Sequence, residues 1–395
     1  MKAEYRWMVL SCLMVGFLVA SLLGCAPAAP KEKVFQYADI NAFSGPAAPW
    51  GWMLQHSLNI AAEDINAAGG IKVGGEAYMV EVPMYDHAYD PSVAVTVMRK
   101  AIYDDGIKYA SVLGGGVIPS INDLVQSEKV CIFGAAGGIS WIGPKYPFTF
   151  KTYWDLSDSL DVILEYALKK YPNYKRIAMT YPDDDVGRDE AKFTPQIAKA
   201  HGLEVVDIIF SARATTDFYP ALTGLLAKGV DIIEVGGTPE LQHGLIIKQA
   251  RELGFKGLFV RSDGFTPEVV AETCGLDALE GHLGGPQFVE MPNDIGKRWA
   301  QRYVERYGSL QSWTVYHYDG MFLLKAAIEK ANSFDAEKVV PILETVSIEG
   351  ALGEVSYKGK EVYGLNRLFV LPVPVVEMVN GKQVQVYSAI ASRWR

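Results

Sequence analysis

Short apolar runs alternate with amphipathic stretches of 10–20 residues from residue 34 to about residue 261, and this alternation narrows the fold more than any other feature. The segments 34–40, 78–85, 109–113 and 130–133 have the composition of strands. Between them, residues 49–68 carry Leu54, Leu58, Ala61, Ala62 and Ile65 at helical spacing and stop at Gly69-Gly70. Asp90-Pro91 reads as an N-cap and first helical position for a helix running to about residue 104. A short helix is expected over 121–127. The rhythm restarts after Phe150. Helices are expected at 157–171, 189–201, 218–228 and 239–254, and strands at 176–181, 203–210, 231–235 and 258–261. Strands alternating with helices of this length build right-handed βαβ units on parallel sheets. Two such runs imply an α/β chain with two doubly wound parallel-sheet lobes. After residue 285 the rhythm breaks into helices at 293–307, 314–331 and 336–345. A β-rich end with Pro372 and Pro374 follows, suited to sheet edges and to passages between lobes.

The N-terminus bears on compartment. Lys2 and Arg6 precede an uncharged, mostly apolar run from 7 to 23 that ends in Leu22-Leu23-Gly24-Cys25. Such a run is shorter than the roughly 20 apolar residues needed to span a bilayer and reads as an export leader. The four-residue end looks like a lipobox, which directs acylation of Cys25 and cleavage before it. Residues 1–24 are thus expected to be a signal peptide, 25–33 a tether, and the body an extracytoplasmic lipoprotein held at a membrane. The leader carries Lys2, Arg6 and Glu4, a net +1, so its loss takes the formal charge from −9 to −10. An acidic body without a basic stripe argues against nucleic acid as a partner. Cys131 and Cys274 are expected as buried, unpaired small residues, a disulfide being the alternative.

In open parallel sheets, ligands bind beyond the carboxyl ends of the strands. Glycine clusters sit there: Ser44-Gly45-Pro46, Gly114–Gly116, Gly134–Gly138, Gly236-Gly237-Thr238 and Ser262-Asp263-Gly264. Glycines at such ends either make tight turns or bring backbone N–H groups close to a polar ligand. Signatures of catalysis are missing. The six histidines fall in no H-E-x-x-H spacing, there is no G-x-S-x-G elbow, and Pro119 occupies the third position of a would-be dinucleotide fingerprint. No enzyme activity and no cofactor or metal are expected. The acids Asp183–Asp185 read as a solvated turn.

Ser44-Gly45-Pro46, the stretch Glu63-Asp64-Ile65-Asn66-Ala67-Ala68-Gly69-Gly70-Ile71, and Tyr85-Asp86 with Asp90-Pro91 together resemble the leucine/isoleucine/valine-binding family of periplasmic proteins. The resemblance covers nearly the whole chain after the leader. It implies a type I periplasmic-binding-protein fold: two lobes joined by a three-segment hinge, with a small molecule held between them. Lobe 1 would be 34–151 plus 285–357, and lobe 2 would be 152–284 plus 358–395. The crossings would fall near 151–152, 284–285 and 354–364. The family's cleft positions fall on Trp50 as an aromatic lid, Gly116 and Val117 in the loop after the third strand, and Ala135-Ala136-Gly137. Val186, Thr238 and Asp263 complete them, with Asp263 as the acid for a ligand ammonium. The family's side-chain hydroxyls for an α-carboxylate are absent, leaving backbone donors. The resemblance implies a monomeric solute-binding component of an ABC importer. It would take a hydrophobic amino acid, or a related apolar or aromatic carboxylate or amide, and deliver it to ABC permease subunits. A sensing module on the same fold, passing its closed state to a signalling partner, is the alternative.

Overall fold

The computed structural model describes residues 33–45 and 47–395; the leader, Cys25 and most of the tether lie outside the described residues. In chain order the elements are β1 (Val34–Gln36), β2 (Ala38–Asn41), α1 (Ala48–Ala67), β3 (Ile71–Val73), β4 (Glu76–Glu81), β5 (Met84–Asp86), α2 (Pro91–Tyr103), β6 (Tyr109–Leu113), α3 (Val117–Ser127), β7 (Cys131–Ala135) and β8 (Thr149–Lys151). Then come α4 (Leu156–Lys170), β9 (Arg176–Pro182), α5 (Asp185–Ala200), β10 (Glu204–Ser211), α6 (Tyr219–Leu226), β11 (Ile232–Val235), α7 (Glu240–Glu252), β12 (Leu258–Arg261), α8 (Pro267–Cys274) and β13 (Leu283–Gly284). The chain ends with α9 (Asp294–Tyr307), α10 (Val315–Ala331), α11 (Ala336–Leu343), β14 (Ser347–Gly350), β15 (Gly353–Lys358), α12 (Lys360–Tyr363), β16 (Leu368–Phe369), β17 (Val373–Val379) and β18 (Lys382–Ala389).

Two large sheets result. One runs β14-β15-β16-β8-β7-β6-β2-β5 and the other β10-β9-β11-β12-β13-β17-β18. The strands of the βα rhythm pair in parallel, and the late strands add antiparallel edges, β14-β15-β16 to the first sheet and β17-β18 to the second. Successive strand residues alternate between cores on opposite faces. In β7, Ile132 packs with the Met98 and Ile121 side chains of α2 and α3, whereas Cys131 and Phe133 pack with Leu58, Tyr303 and Leu324. In the second sheet Ile232 and Ile233 divide in the same way, as do Val260 and Phe259. Each sheet is therefore covered on both faces, which its unbroken apolar strands require.

Proline chemistry explains two departures from the sequence reading. The run 78–85 is two strands, β4 and β5, because Pro83 has no N–H for a ladder. Pro267 opens a helix, α8, that the sequence reading left out. Asp90 does cap α2, its carboxylate accepting from the backbone N–H of Ser92 and Val93. Asp183–Asp185 is not simply a solvated turn: Asp184 caps α5, which starts four residues earlier than expected. Cys131 is buried and Cys274 half-buried, and both are free thiols.

The chain passes between the sheets after β8, after β13, and between β16 and β17. The third is later than the expected 354–364, since β16 still pairs with β8 in the first sheet. A buried charge cluster surrounds the first passage. Lys151 is fully buried and donates to the Gly138 carbonyl. Asp155 caps α4, and Arg393 near the C-terminus bridges Asp155 (2.8 Å) and Asp158 (2.6 Å).

Candidate functional site

Parallel pairing brings the carboxyl ends of β2, β6 and β7 to one edge of the first sheet, and those of β9, β11 and β12 to one edge of the second. The loops leaving both edges enclose a cavity of about 210 Å³. Six of the residues that line it are aromatic. Trp50, in the first turn of α1, is 40% exposed and meets Tyr89 edge-on at 6.2 Å. Tyr153 stacks on Trp154 at 3.9 Å and meets Trp313 edge-on at 6.0 Å. Met53, Leu113, Leu156 and Phe265 add aliphatic and aromatic surface.

The polar wall comes mostly from the second sheet. Arg261 closes β12 and is buried. Its Nε donates to Asp263 Oδ1 and its Nη2 to Asp263 Oδ2, both at 2.9 Å, a bidentate pair. Nη1 meets His243 Nδ1 at 2.9 Å and Nη2 also donates to the Thr238 carbonyl at 3.1 Å. His243 Nε2 lies 3.1 Å from His282 Nε2. Burial, reinforced by the Arg261 charge, holds the His243 imidazole well below its ordinary pKa, and burial takes His282 down to about 3. Both rings are therefore neutral at pH 7. With Arg261 donating to Nδ1, His243 carries its proton on Nε2, which donates to His282 Nε2. Arg213 sits nearer solvent, its Nε donating to Asp184 at 2.6 Å. Glu240 accepts from the Thr266 N–H at 2.8 Å, and burial raises its pKa. The Thr238 hydroxyl is buried and has no hydrogen-bond partner among the described residues.

Seven of the residues expected from sequence border this cavity: Trp50, Ala135, Ala136, Gly137, Val186, Thr238 and Asp263. Gly116 and Val117 do not. Because α3 begins at Val117 rather than at 121, Gly114 and Gly115 form the wall in their place. Val117 is fully buried in the core with Ile118 and Ile121. Gly116 faces an adjoining cleft with Gly138, Asp189 and Lys192. Tyr89, Tyr153, Trp313, Arg213, Arg261 and Glu240 were missed. Arg261 left a trace: it is the charge that ends an otherwise apolar strand, two residues before Asp263 and so on the same side of extended backbone. Among the described residues no cluster of three or more His, Cys, Asp or Glu could hold a metal ion, and no helix is long and apolar enough to cross a membrane.

Residues 39–382 match the family described as periplasmic binding protein. The chain belongs to that family. The Leu/Ile/Val-binding protein of Citrobacter freundii is 26% identical over 359 residues, covering 88% of this chain and 92% of that protein. The crystal structure of the leucine-binding protein LivK of Thermotoga maritima superposes with a TM-score of 0.76 at 23% identity, covering 92% of this chain and all of that one. A solute-binding protein of Rhodopseudomonas palustris BisB5 in complex with 3,4-dihydroxybenzoic acid gives a TM-score of 0.74 at 22% identity, covering 91% and 98%. With two wrapped sheets facing one cavity, this periplasmic binding protein has the two-lobed architecture of its neighbours.

Proposed function

We propose that this protein is the lipid-anchored capture component of an ABC importer, binding a small apolar or aromatic carboxylate, a hydrophobic amino acid or a close relative between two lobes that close on it. The observation that carries this reading is the aromatic cavity between the glycine-rich strand ends of the two sheets. An apolar cavity of about 150 Å³ accepts benzene, so the larger space here suits one ring or a branched alkyl chain with a polar head. The moving bodies would be 34–151 with 285–369, and 152–284 with 370–395, turning about the three passages. Trp50, Ala135, Ala136 and Gly137 would meet the solute from the first lobe and Val186 and Thr238 from the second. Contacts from both lobes favour the closed form, and the closed shape is what a permease reads. Cys25 would carry the acyl chains that keep the body near the permease, outside the cytoplasm. The relatives named above support the solute class: one is called a Leu/Ile/Val-binding protein, and another was solved with a dihydroxybenzoic acid.

The test is a panel of aliphatic and aromatic amino acids, acids and amides, with the melting temperature and the small-angle scattering curve of the leaderless protein as readouts. At least one compound should raise the melting temperature and contract the particle. A panel that leaves both unchanged refutes capture by closure.

A further inference from the structure

The cavity has two carboxylates in its wall, Asp263 and Glu240. A ligand ammonium needs one of them free. Both oxygens of Asp263 accept from the Arg261 fork and Oδ1 also accepts from the Gly237 N–H at 3.3 Å, so three of its roughly four lone-pair sites are used and its charge is offset by the guanidinium. Arg261 cannot swing away at low cost. It is buried, its other nitrogen is fixed on the His243 ring, and breaking the pair would strand a desolvated charge. Burial favours the neutral form of Glu240, and one of its oxygens accepts from Thr266.

The donor side is the reverse. The Thr238 hydroxyl is buried and has no hydrogen-bond partner among the described residues, an unfavourable state that a ligand would relieve. The Trp154 indole N–H, on another lining residue, is also buried without a hydrogen-bond partner among the described residues. Arg213, about a third exposed and held by Asp184, can exchange that partner for an incoming anion far more cheaply than Arg261 can. The wall thus offers donors in excess and has its best acceptor occupied.

Building on the capture reading above, we propose that the solute is an apolar carboxylic acid without an α-ammonium group. The Arg261–Asp263 pair disfavours an α-ammonium group, and the Thr238 hydroxyl is a ligand-binding group.

The experiment is calorimetric titration of the leaderless protein, unfolded and refolded to remove any carried solute. Leucine and phenylalanine are compared with their deaminated counterparts, 4-methylpentanoate and 3-phenylpropanoate. At least one acid should bind at least tenfold more tightly than its amino acid. Equal affinities, or tighter binding of the amino acids, overturn the proposal. Loss of that amino-acid binding in Glu240→Gln would then assign the ammonium to Glu240. Thr238→Val keeps the side-chain shape. It should leave the ligand-free melting temperature unchanged or raised and weaken acid binding about tenfold; unchanged affinity overturns the role of Thr238. If none of these four compounds binds, an apolar acid of the wider panel that binds at least tenfold more tightly than its amino-acid counterpart supports the proposal, whereas binding only of an amino acid or an amide overturns the class while capture stands. If nothing in the panel binds or contracts the particle, the capture reading itself falls.

Discussion

Two glycines in helices allow the packing argument to be tested with the same substitution. Gly51 lies in α1 beside Trp50, and Gly224 lies in α6. Helix propensity alone makes Gly→Ala favourable by about 0.5–1 kcal/mol at either site. At Gly224 a new Cβ would meet nothing within 4 Å, so that gain should appear in full. At Gly51 the Cβ would fall inside the contact radius of the Ala42 carbonyl oxygen, with the carbonyl carbon at 2.8 Å and the backbone nitrogen at 3.3 Å. Ordinary carbon contacts are 3.5–4.0 Å, so the start of α1 must retreat by roughly 0.7 Å or more. The obstacle is backbone that follows β2 and cannot rotate aside. Overpacking of this kind costs about 1–3 kcal/mol, which exceeds the propensity gain. Gly51→Ala should therefore lower the melting temperature and Gly224→Ala should raise it, read by differential scanning calorimetry on ligand-free protein. The expected change is below the roughly 2–4 °C per kcal/mol seen for domains of 150–250 residues, because this body is larger. Displacing α1 also displaces Trp50, so Gly51→Ala should weaken solute binding while Gly224→Ala leaves it alone. A Gly51→Ala protein as stable as the wild type would refute the close approach of α1 to residue 42, and with it the placement of Trp50.

Trp50→Ala should weaken binding of the captured solute at least tenfold in calorimetry, since it removes a large ring from the cavity wall. Lys151→Met should cost about 2 kcal/mol in urea unfolding, because it leaves the Gly138 carbonyl without its donor and removes a positive charge from beside Asp155, Asp158 and Glu190. Glu234 is buried, and burial raises its pKa from 4.5 to about 7 although Ser262 donates to it at 2.6 Å. Its folded form therefore takes up a proton between those values while the unfolded chain does not, so its destabilising effect is full above about pH 7 and fades as pH falls toward 4.5. Glu234→Gln should gain up to about 3 kcal/mol at pH 8 and little at pH 4.5. Buried neutral histidines such as His243 and His282 destabilise the wild type below about pH 6.5, so the mutant-minus-wild-type difference in melting temperature is the quantity to measure, and a flat difference would refute the assignment.

Local chemistry made most elements legible. The cap at Asp90 and the stop at Gly69-Gly70 are written in adjacent residues, and the structure has a helix starting at Pro91 and another ending at Ala67. Failures occurred where the deciding interaction is distant in the chain. Nothing near Leu368 announces that it pairs with Lys151, so the third passage between the sheets was placed too early. The start of α3 was missed because Gly116 caps it without a side chain, leaving no signal to read. Gly116 and Val117 were carried over from the family's cleft positions; in the structure Gly114 and Gly115 border the cavity instead.

Asp263 shows a different limit. Its place at the cavity wall could be carried over from a family resemblance, but its availability could not. Availability depends on Arg261, two residues earlier, and on His243, which fixes the guanidinium from another helix. A position that supplies a free carboxylate in one chain is, beside such an arginine, half of a closed ion pair that presents almost no net charge to the solute. On the capture reading, the sheet ends determine where a solute would sit. What it would be depends on which wall groups the protein has left unpaired, and among the described residues these include the Thr238 hydroxyl and the Trp154 indole N–H, whereas the Asp263 carboxylate is paired.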